Sequence, residues 1–303
     1  MLFWLMIFLL SSAGVIGGGI SLERVTEEWA ERSGVTKEWA GFLILSIVTS
    51  TPEFATAISG AVNNYPDLVI GDILGGNFFN IVVFSLFSFL WYDLFRCINK
   101  RVTYELIAWN IAFNIILIFA LYFRMNLFPV FLLYPFVAMR VFERSGDKTS
   151  FEGDNGGRRL KYYFILAITL VIGSGYFLIV SGAQLSELMN LSNTFIGTLF
   201  VAIVTSAPEL STSFTALLRK AHGLCVGNVL GSNVLNFFIL PIAAFFFKDP
   251  MVKVSSQAHM LTAMGLLISS LLLFVSLSFA FKKIRLFPVL IYLMVISLLG
   301  KGV

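Results

Sequence analysis

The sequence predicts an all-α polytopic membrane protein, with ten transmembrane helices arranged as two inverted five-helix repeats. Three observations predict it. The first is composition: of 303 residues, 58% are hydrophobic, 15% aromatic and only 13% charged, and the mean hydropathy is +0.88. A soluble domain carries roughly a quarter charged residues, so this chain cannot cover a water-facing surface. The second is a series of apolar stretches, most of them long enough for a helix to cross a bilayer core. The third is internal repetition. Residues 41–81 laid without gaps on 197–237 are identical at 15 of 41 positions. Chance would match about one position in ten in such skewed composition, and the excess falls on polar and glycine positions.

The spans, in order, are 2–20, 38–61, 67–91, 103–122, 127–143, 161–183, 194–217, 223–246, 257–280 and 285–300. The first lacks the positive n-region of a signal peptide and holds the place that 164–181 holds in the second half, so it is expected to be retained. Charges cluster over Glu23–Arg32, where the helix is expected to continue as an exposed amphipathic segment with Glu23, Glu27, Glu28 and Glu31 on a solvated face. Residues 146–159 are polar, with glycines at 146, 153, 156 and 157. They divide the chain into a first five-helix repeat (1–145), a linker (146–159) and a second five-helix repeat (160–303).

The net charge of +4 and a pI near 9.1 could suggest nucleic acid. The basic residues are instead confined to short hydrophilic breaks, where they act as topology determinants. Of 21 Lys and Arg, 17 lie in, or within a few residues of, the breaks after the first, third, fifth, seventh and ninth spans. The positive-inside rule then places the linker in the cytoplasm and both termini outside. Five spans per half is odd, so the second half inserts upside down relative to the first. The expected location is the plasma (cell inner) membrane. Cys97 and Cys225 form no disulfide or metal framework and are expected to be small packing residues.

Two stretches carry the chemistry: Thr49-Ser50-Thr51-Pro52-Glu53 and Thr205-Ser206-Ala207-Pro208-Glu209. A glutamate inside a membrane span is costly and marks function by default. Proline lacks an N–H and clashes with the carbonyl four residues back, so Pro52 and Pro208 free carbonyls near Val48 and Val204. With the hydroxyls and carboxylates these make an oxygen-only set, which suits a hard cation such as Ca2+ with about six to eight oxygens, and Na+ as well. A second block, Gly71, Gly75, Gly76 with Asn80, and Gly227, Gly231, Ser232 with Asn236, has helical small-residue spacing that lets helices approach closely. That approach would bring Asn80 and Asn236 toward the glutamates. The bland alternatives are a simple kink, hydroxyls bonded back along their own helix, and packing alone. Two costly glutamates at matching repeat positions argue against them.

Other polar residues carry less. His222 is expected to be a solvated end residue and His259 an interfacial one. Asn110 and Asn114, spaced i, i+4, are expected to tie helices together. No His ligand or nucleophile–base pair accompanies the glutamates, so the chain is not expected to be an enzyme. A channel would not require a pseudo-symmetric switching site.

At these residues the chain resembles the cation/Ca2+ exchanger superfamily, and its prokaryotic sodium/calcium exchanger branch best. That family carries G-T-S-x-P-E and G-N-x-x-G-S-N-x-x-N/D blocks in two inverted repeats. Here they read V-T-S-T-P-E with G-D-I-L-G-G-N-F-F-N, and V-T-S-A-P-E with G-N-V-L-G-S-N-V-L-N. The resemblance implies antiport of Ca2+ against Na+ by alternating access, with Ca2+/H+ exchange at the same glutamates as the alternative. It implies that Glu53 and Glu209 hold the central Ca2+ and share the Na+ sites, that the Thr49 and Thr205 backbones add ligands, that Ser50, Ser206 and Ser232 line Na+ sites, and that Asn80 and Asn236 complete a diamond-shaped cluster. The first and sixth spans would slide across the rest. No cofactor is implied, and no partner beyond the transported ions and the bilayer; a monomer suffices.

The chain departs from the family pattern at Val48 and Val204, at Gly76 in place of a serine, and at Asn236 where sodium/calcium exchangers often have Asp. Two glutamates give the pocket a formal charge of −2, which one Ca2+ neutralises and three Na+ would exceed. Asp72, where the family usually has Asn, is expected to supply the missing charge from an access site. It shares a helix face with Gly76 and Asn80 and lies about 12 Å from Asn80 along the axis at roughly 1.5 Å per residue.

Overall fold

The computed structural model describes residues 1–32, 46–91, 100–123, 158–247, 256–279 and 281–302. The described residues are helical throughout, with no strand. Among the described residues six helices are long and apolar enough to cross a membrane, seven if a bent pair is taken as one. The span expected at 127–143, residues 146–157 of the linker, the first part of the 38–61 span and Cys97 lie outside the described residues.

Two long helices lie against each other: α1 (Leu2–Arg32) and α6 (Arg158–Met189). With 31 and 32 residues each is longer than a bilayer core of about 30 Å needs at roughly 1.5 Å per residue; such helices tilt or run past the core. Glycines let them touch. A Cβ on Gly18 would lie 2.9 Å from Val171 Cγ2, and one on Gly14 would overlap Ser174. As expected, α1 runs on through Arg32. Its end is not simply a solvated face, however: Glu28 is exposed, but Leu22, Glu23 and Thr26 are buried. The wall of neighbouring helices that α1 crosses extends past its apolar stretch and covers them.

The interior is built around α4 (Pro66–Leu90) and α10 (His222–Ala244), the most enclosed of the membrane-length helices. Both are largely apolar, as a buried helix should be, and both carry a row of buried polar residues, Asp72, Asn77 and Asn80 on α4 and Asn228, Ser232, Asn233 and Asn236 on α10. Phe78, Phe84, Ile73, Leu74 and Ile81 of α4 join Val229, Leu230 and Phe237 of α10 in the largest core cluster. Around them stand α5 (Lys100–Phe123), α11 (Ser256–Ser278) and α12 (Phe287–Leu299). Asn110 and Asn114 tie α5 inward as expected, donating to the carbonyls of Leu230 at 3.3 Å and Ala263 at 2.8 Å. Cys225 is a buried packing residue. Arg285 lies in the 3₁₀ turn Lys282–Leu286 and donates to the carbonyl of Ser88 at 2.6 Å, fastening the end of α4.

The remaining helices are broken, and they break where the prolines predict. α2 (Ser46–Thr49) gives way to α3 (Thr51–Val62) at Ser50, with φ −81° and ψ 5°. In the second half, α7 (Asn193–Phe195) leads through a π-helical segment, Ile196–Val201, into α8 (Ala202–Thr205). That gives way to α9 (Ala207–Leu218) at Ser206, with φ −81° and ψ 0°. The pair Asn193–Thr205 and Ala207–Leu218 is bent by 43°. α3 and α9 also end alike. Asn64 and Lys220 both take a left-handed φ, 61° and 57°. The next N–H reaches back to Gly60 or Ala216, at 2.8 Å in each case. This reversed hydrogen bond caps the last carbonyls of each half-helix and turns the chain straight into α4 or α10.

Candidate ion-binding site

Each break aims a glutamate inward from the first turn of a half-helix. Glu53 follows Pro52 at the start of α3, and Glu209 follows Pro208 at the start of α9. Exposed N–H groups and the helix dipole favour negative charge at such an end. Both side chains are fully buried. Glu53 Oε1 accepts from Ser206 at 3.3 Å, so a hydroxyl of one break reaches the carboxylate of the other. Glu53 Oε2, both carboxylate oxygens of Glu209, Ser50 Oγ and Asn236 Oδ1 are buried without a hydrogen-bond partner. A protein leaves few buried polar atoms unpaired, and each calls for an explanation. Most of these are acceptor oxygens, the kind of atom that a cation with hard oxygen ligands would satisfy. Among the described residues no group of three or more His, Cys, Asp or Glu is placed to hold a metal, so a bound cation would lean on hydroxyl and amide oxygens beside the carboxylates.

The asparagines lock the middle of the bundle. Asn77 Nδ2 donates to the carbonyl of Asn233 at 3.2 Å, and Asn233 Nδ2 returns to the carbonyl of Asn77 at 2.9 Å. Asn80 then donates to Asn233 Oδ1 and Asn236 to Asn77 Oδ1, each at 3.0 Å. Asn80 and Asn236 are thus anchored by their amide nitrogens, with Asn236 Oδ1 left over. Asn77 and Asn233 are the residues that sequence reasoning missed, although both fall among the repeat identities.

The threonines bind across the chain in matching fashion. Thr49 Oγ1 donates to Asn228 Oδ1 at 3.0 Å, and Thr205 Oγ1 to Asp72 Oδ1 at 2.9 Å. Asn228 also donates to the carbonyl of Glu209 at 3.1 Å and to Ser213 at 3.0 Å. Ser232 donates to the carbonyl of Asn228. Asp72 is therefore not at an access site. It is fully buried and bonded to the second break through Thr205 and to α3 through Thr56, at 2.5 Å. The 12 Å measured along its own helix gave no sign of this, because Thr205 comes from the other half of the chain.

The glycine block works as spacing predicted. A Cβ on Gly71 would lie 3.0 Å from the carbonyl of Thr194 and 3.2 Å from the nitrogen of Thr198, and one on Gly75 would overlap the Thr198 backbone. The π-helical turn that receives them, where a Cβ on Gly197 would lie 2.6 Å from the carbonyl oxygen of Leu68, was not foreseen. Short π segments of this kind are frequent at functional sites.

His259, expected to be interfacial, is enclosed by protein. It is fully buried, with Nε2 2.8 Å from Asp67 Oδ1 and 3.5 Å from Thr194 Oγ1. The start of α11 packs against α4 there. His222 is partly exposed at the start of α10.

A model of the family described as sodium/calcium exchanger protein matches residues 3–145 and 160–299. The chain is 25% identical to the sodium/calcium exchanger MaX1 of Methanosarcina acetivorans, over 92% of this chain and 93% of that one. Its fold matches the sodium-calcium exchanger NCX_Mj soaked with Na+ and Sr2+, with TM-score 0.66 and 19% identity, covering 97% of this chain and 98% of that one. It matches native YfkE with TM-score 0.67 and 18% identity, covering 97% and 91%.

Proposed function

Because the chain belongs to the sodium/calcium exchanger family, a family of transporters and not of enzymes, we propose that it is a secondary antiporter that moves Ca2+ against Na+ through the buried site between the two breaks. The observation that carries this reading is the set of unpaired acceptor oxygens on Glu53, Glu209 and Asn236, two of them carboxylates, enclosed in an apolar bundle. Two carboxylates match one Ca2+ in charge, and oxygen donors match it in chemistry. Ser50, Ser206 and Ser232 and the backbones of Thr49 and Thr205 complete the proposed ligand set, with Asn80 and Asn236 closing it.

The site is proposed to lie near the bilayer midplane, between two inverted repeats of five spans each, 1–145 and 160–303, joined by a cytoplasmic linker, with both termini outside. Half-helix ends of this kind form the ion sites of inverted-repeat transporters. Access would alternate as α1 and α6 slide over the broken helices, and the protein would sit in the plasma membrane.

The deciding experiment is uptake of radiolabelled Ca2+ into proteoliposomes with an outward gradient of Na+, K+ or H+ imposed in turn. Uptake driven by the Na+ gradient is the expected result. Uptake driven by the pH gradient alone would replace Na+ with H+ as counter-ion. Flux indifferent to every gradient would overturn antiport.

A further inference from the structure

We propose that Asp72 and Asn228 are a matched pair of positioning residues. Each ties the half-helix that carries the glutamate of its own half to the threonine of the opposite break, so that Glu53 and Glu209 are presented to the ion as one unit. This rests on the exchange reading above and concerns what holds the proposed ligands in register.

The two residues stand 156 positions apart, as the two glutamates do. Asp72 on α4 accepts from Thr205 of α8 at 2.9 Å and from Thr56 of α3 at 2.5 Å. Thr56 Oγ1 also lies 3.0 Å from the carbonyl of Glu53. Asn228 on α10 accepts from Thr49 of α2 at 3.0 Å. It donates to the carbonyl of Glu209 at 3.1 Å and to Ser213 of α9 at 3.0 Å. Every side chain in both ties is buried, where a hydrogen bond is stronger than in water. Each tie thus begins four residues ahead of one glutamate and ends at the backbone of the other. Neither break can shift without pulling on the glutamate of its counterpart.

The far ends of the ties differ, and the difference accounts for the two residue types. In the second half the far end is a carbonyl, which needs a donor, and the Asn228 amide supplies one. A carboxylate there would set an oxygen against the carbonyl oxygen of Glu209. In the first half the Thr56 hydroxyl stands between the side chain and the carbonyl. A hydroxyl can accept on one side while it donates on the other. An amide at position 72 would donate to Thr56 Oγ1 as Thr56 donates to the carbonyl of Glu53. The first tie therefore survives Asp72→Asn, whereas the second does not survive Asn228→Asp.

The test is equilibrium binding of radiolabelled Ca2+ to the purified protein in Na+-free detergent solution, with the melting temperature measured alongside. Asp72→Asn should stay within about twofold of the unaltered affinity, because its hydroxyl partner can reverse direction. Asp72→Ala and Asn228→Asp should each weaken binding by about tenfold or more, the usual cost of losing a group that orients a metal ligand. A role through charge predicts the reverse order, with Asp72→Asn weak and Asn228→Asp strong, and that order overturns the proposal. Unaltered affinity in folded Asp72→Ala or Asn228→Asp also overturns it, even with a lower melting temperature, because packing alone would give that result. Should Asn228→Asp not yield a monodisperse protein, Thr49→Val decides: it strips the hydroxyl from the same tie and leaves the backbone. It should bind Ca2+ several-fold more weakly, and unchanged affinity overturns the assignment. Absence of Ca2+ binding by the unaltered protein would instead sink the exchange reading itself.

Discussion

Ser206 donates its hydroxyl to Glu53 across 3.3 Å, although 153 residues separate them. The two broken helices therefore meet at Glu53, and the proposed site rests on both glutamates. Neither Glu53→Gln nor Glu209→Gln should disturb packing, since glutamine has nearly the same shape. Each removes one of the two charges proposed to face Ca2+. Losing one partner of a buried ion pair costs about 3–5 kcal/mol, so Na+-driven Ca2+ uptake should fall at least about a hundredfold in either variant. Near-normal uptake by either one, measured in proteoliposomes, would remove that residue from the site.

Selectivity among divalent ions is a separate consequence of the ligand types. Hydroxyl, amide and carboxylate oxygens gathered from several helices would form an adaptable cage at the proposed site, which suits Ca2+ or the larger Sr2+. Mg2+ demands near-ideal octahedral geometry at about 2.0–2.1 Å and gives up its water reluctantly. Sr2+ should therefore compete with radiolabelled Ca2+ at comparable concentration, whereas a roughly hundredfold excess of Mg2+ should leave uptake largely intact. Competition by Mg2+ at concentrations similar to Ca2+ would show that the cage is smaller and stiffer than described.

The reciprocal bonds between Asn77 and Asn233 predict a stability effect. Each amide donates to the other's backbone carbonyl and receives a bond from Asn236 or Asn80. Asn233→Ala would leave the carbonyl of Asn77 and the amide of Asn80 without these partners inside the bundle. Leaving a buried polar group unpaired costs about 1–3 kcal/mol. The variant should melt at a lower temperature in detergent, and Asn77→Ala should do the same. Unchanged melting in both would mean that neighbouring groups take over these bonds.

The breaks were legible because proline and glutamate are conspicuous in an apolar span, and their chemistry is local. The long helices were legible for the same reason. What the sequence concealed depends on partners distant in the chain. Asp72 read as an access residue because its distance was measured along α4 alone, while Thr205 approaches from the other half. Glu23 read as solvated because charges surround it in sequence, yet it is 5% exposed. The π-helical turn at Ile196–Val201 contains no proline, and its one glycine, Gly197, does not distinguish a π turn from an ordinary helix. It is the close approach of Gly71 and Gly75 to the backbone at Thr194–Thr198 that marks it, and the sequence of either helix alone does not show which backbone the glycines meet.

Gly19 carries the last prediction. A Cβ there would overlap Pro208 and lie 3.6 Å from Pro52 Cγ, so α1 crosses directly over both breaks. Gly175 stands 156 residues later, on α6, where a Cβ would lie 3.0 Å from Ala55 Cβ. Both helices proposed to slide thus meet the broken helices at a glycine, which leaves a smooth surface with no side chain to catch. Overfilling a tight contact costs about 1–3 kcal/mol, and a leucine at 19 would meet that cost each time α1 passes the prolines. Gly19→Leu should therefore retain folded protein while slowing Ca2+ exchange by at least about tenfold. Gly19→Ala should fall between it and the unaltered protein. Exchange by Gly19→Leu at the ordinary rate, with its fold confirmed by a monodisperse elution peak, would mean that α1 does not pass over the prolines during the cycle.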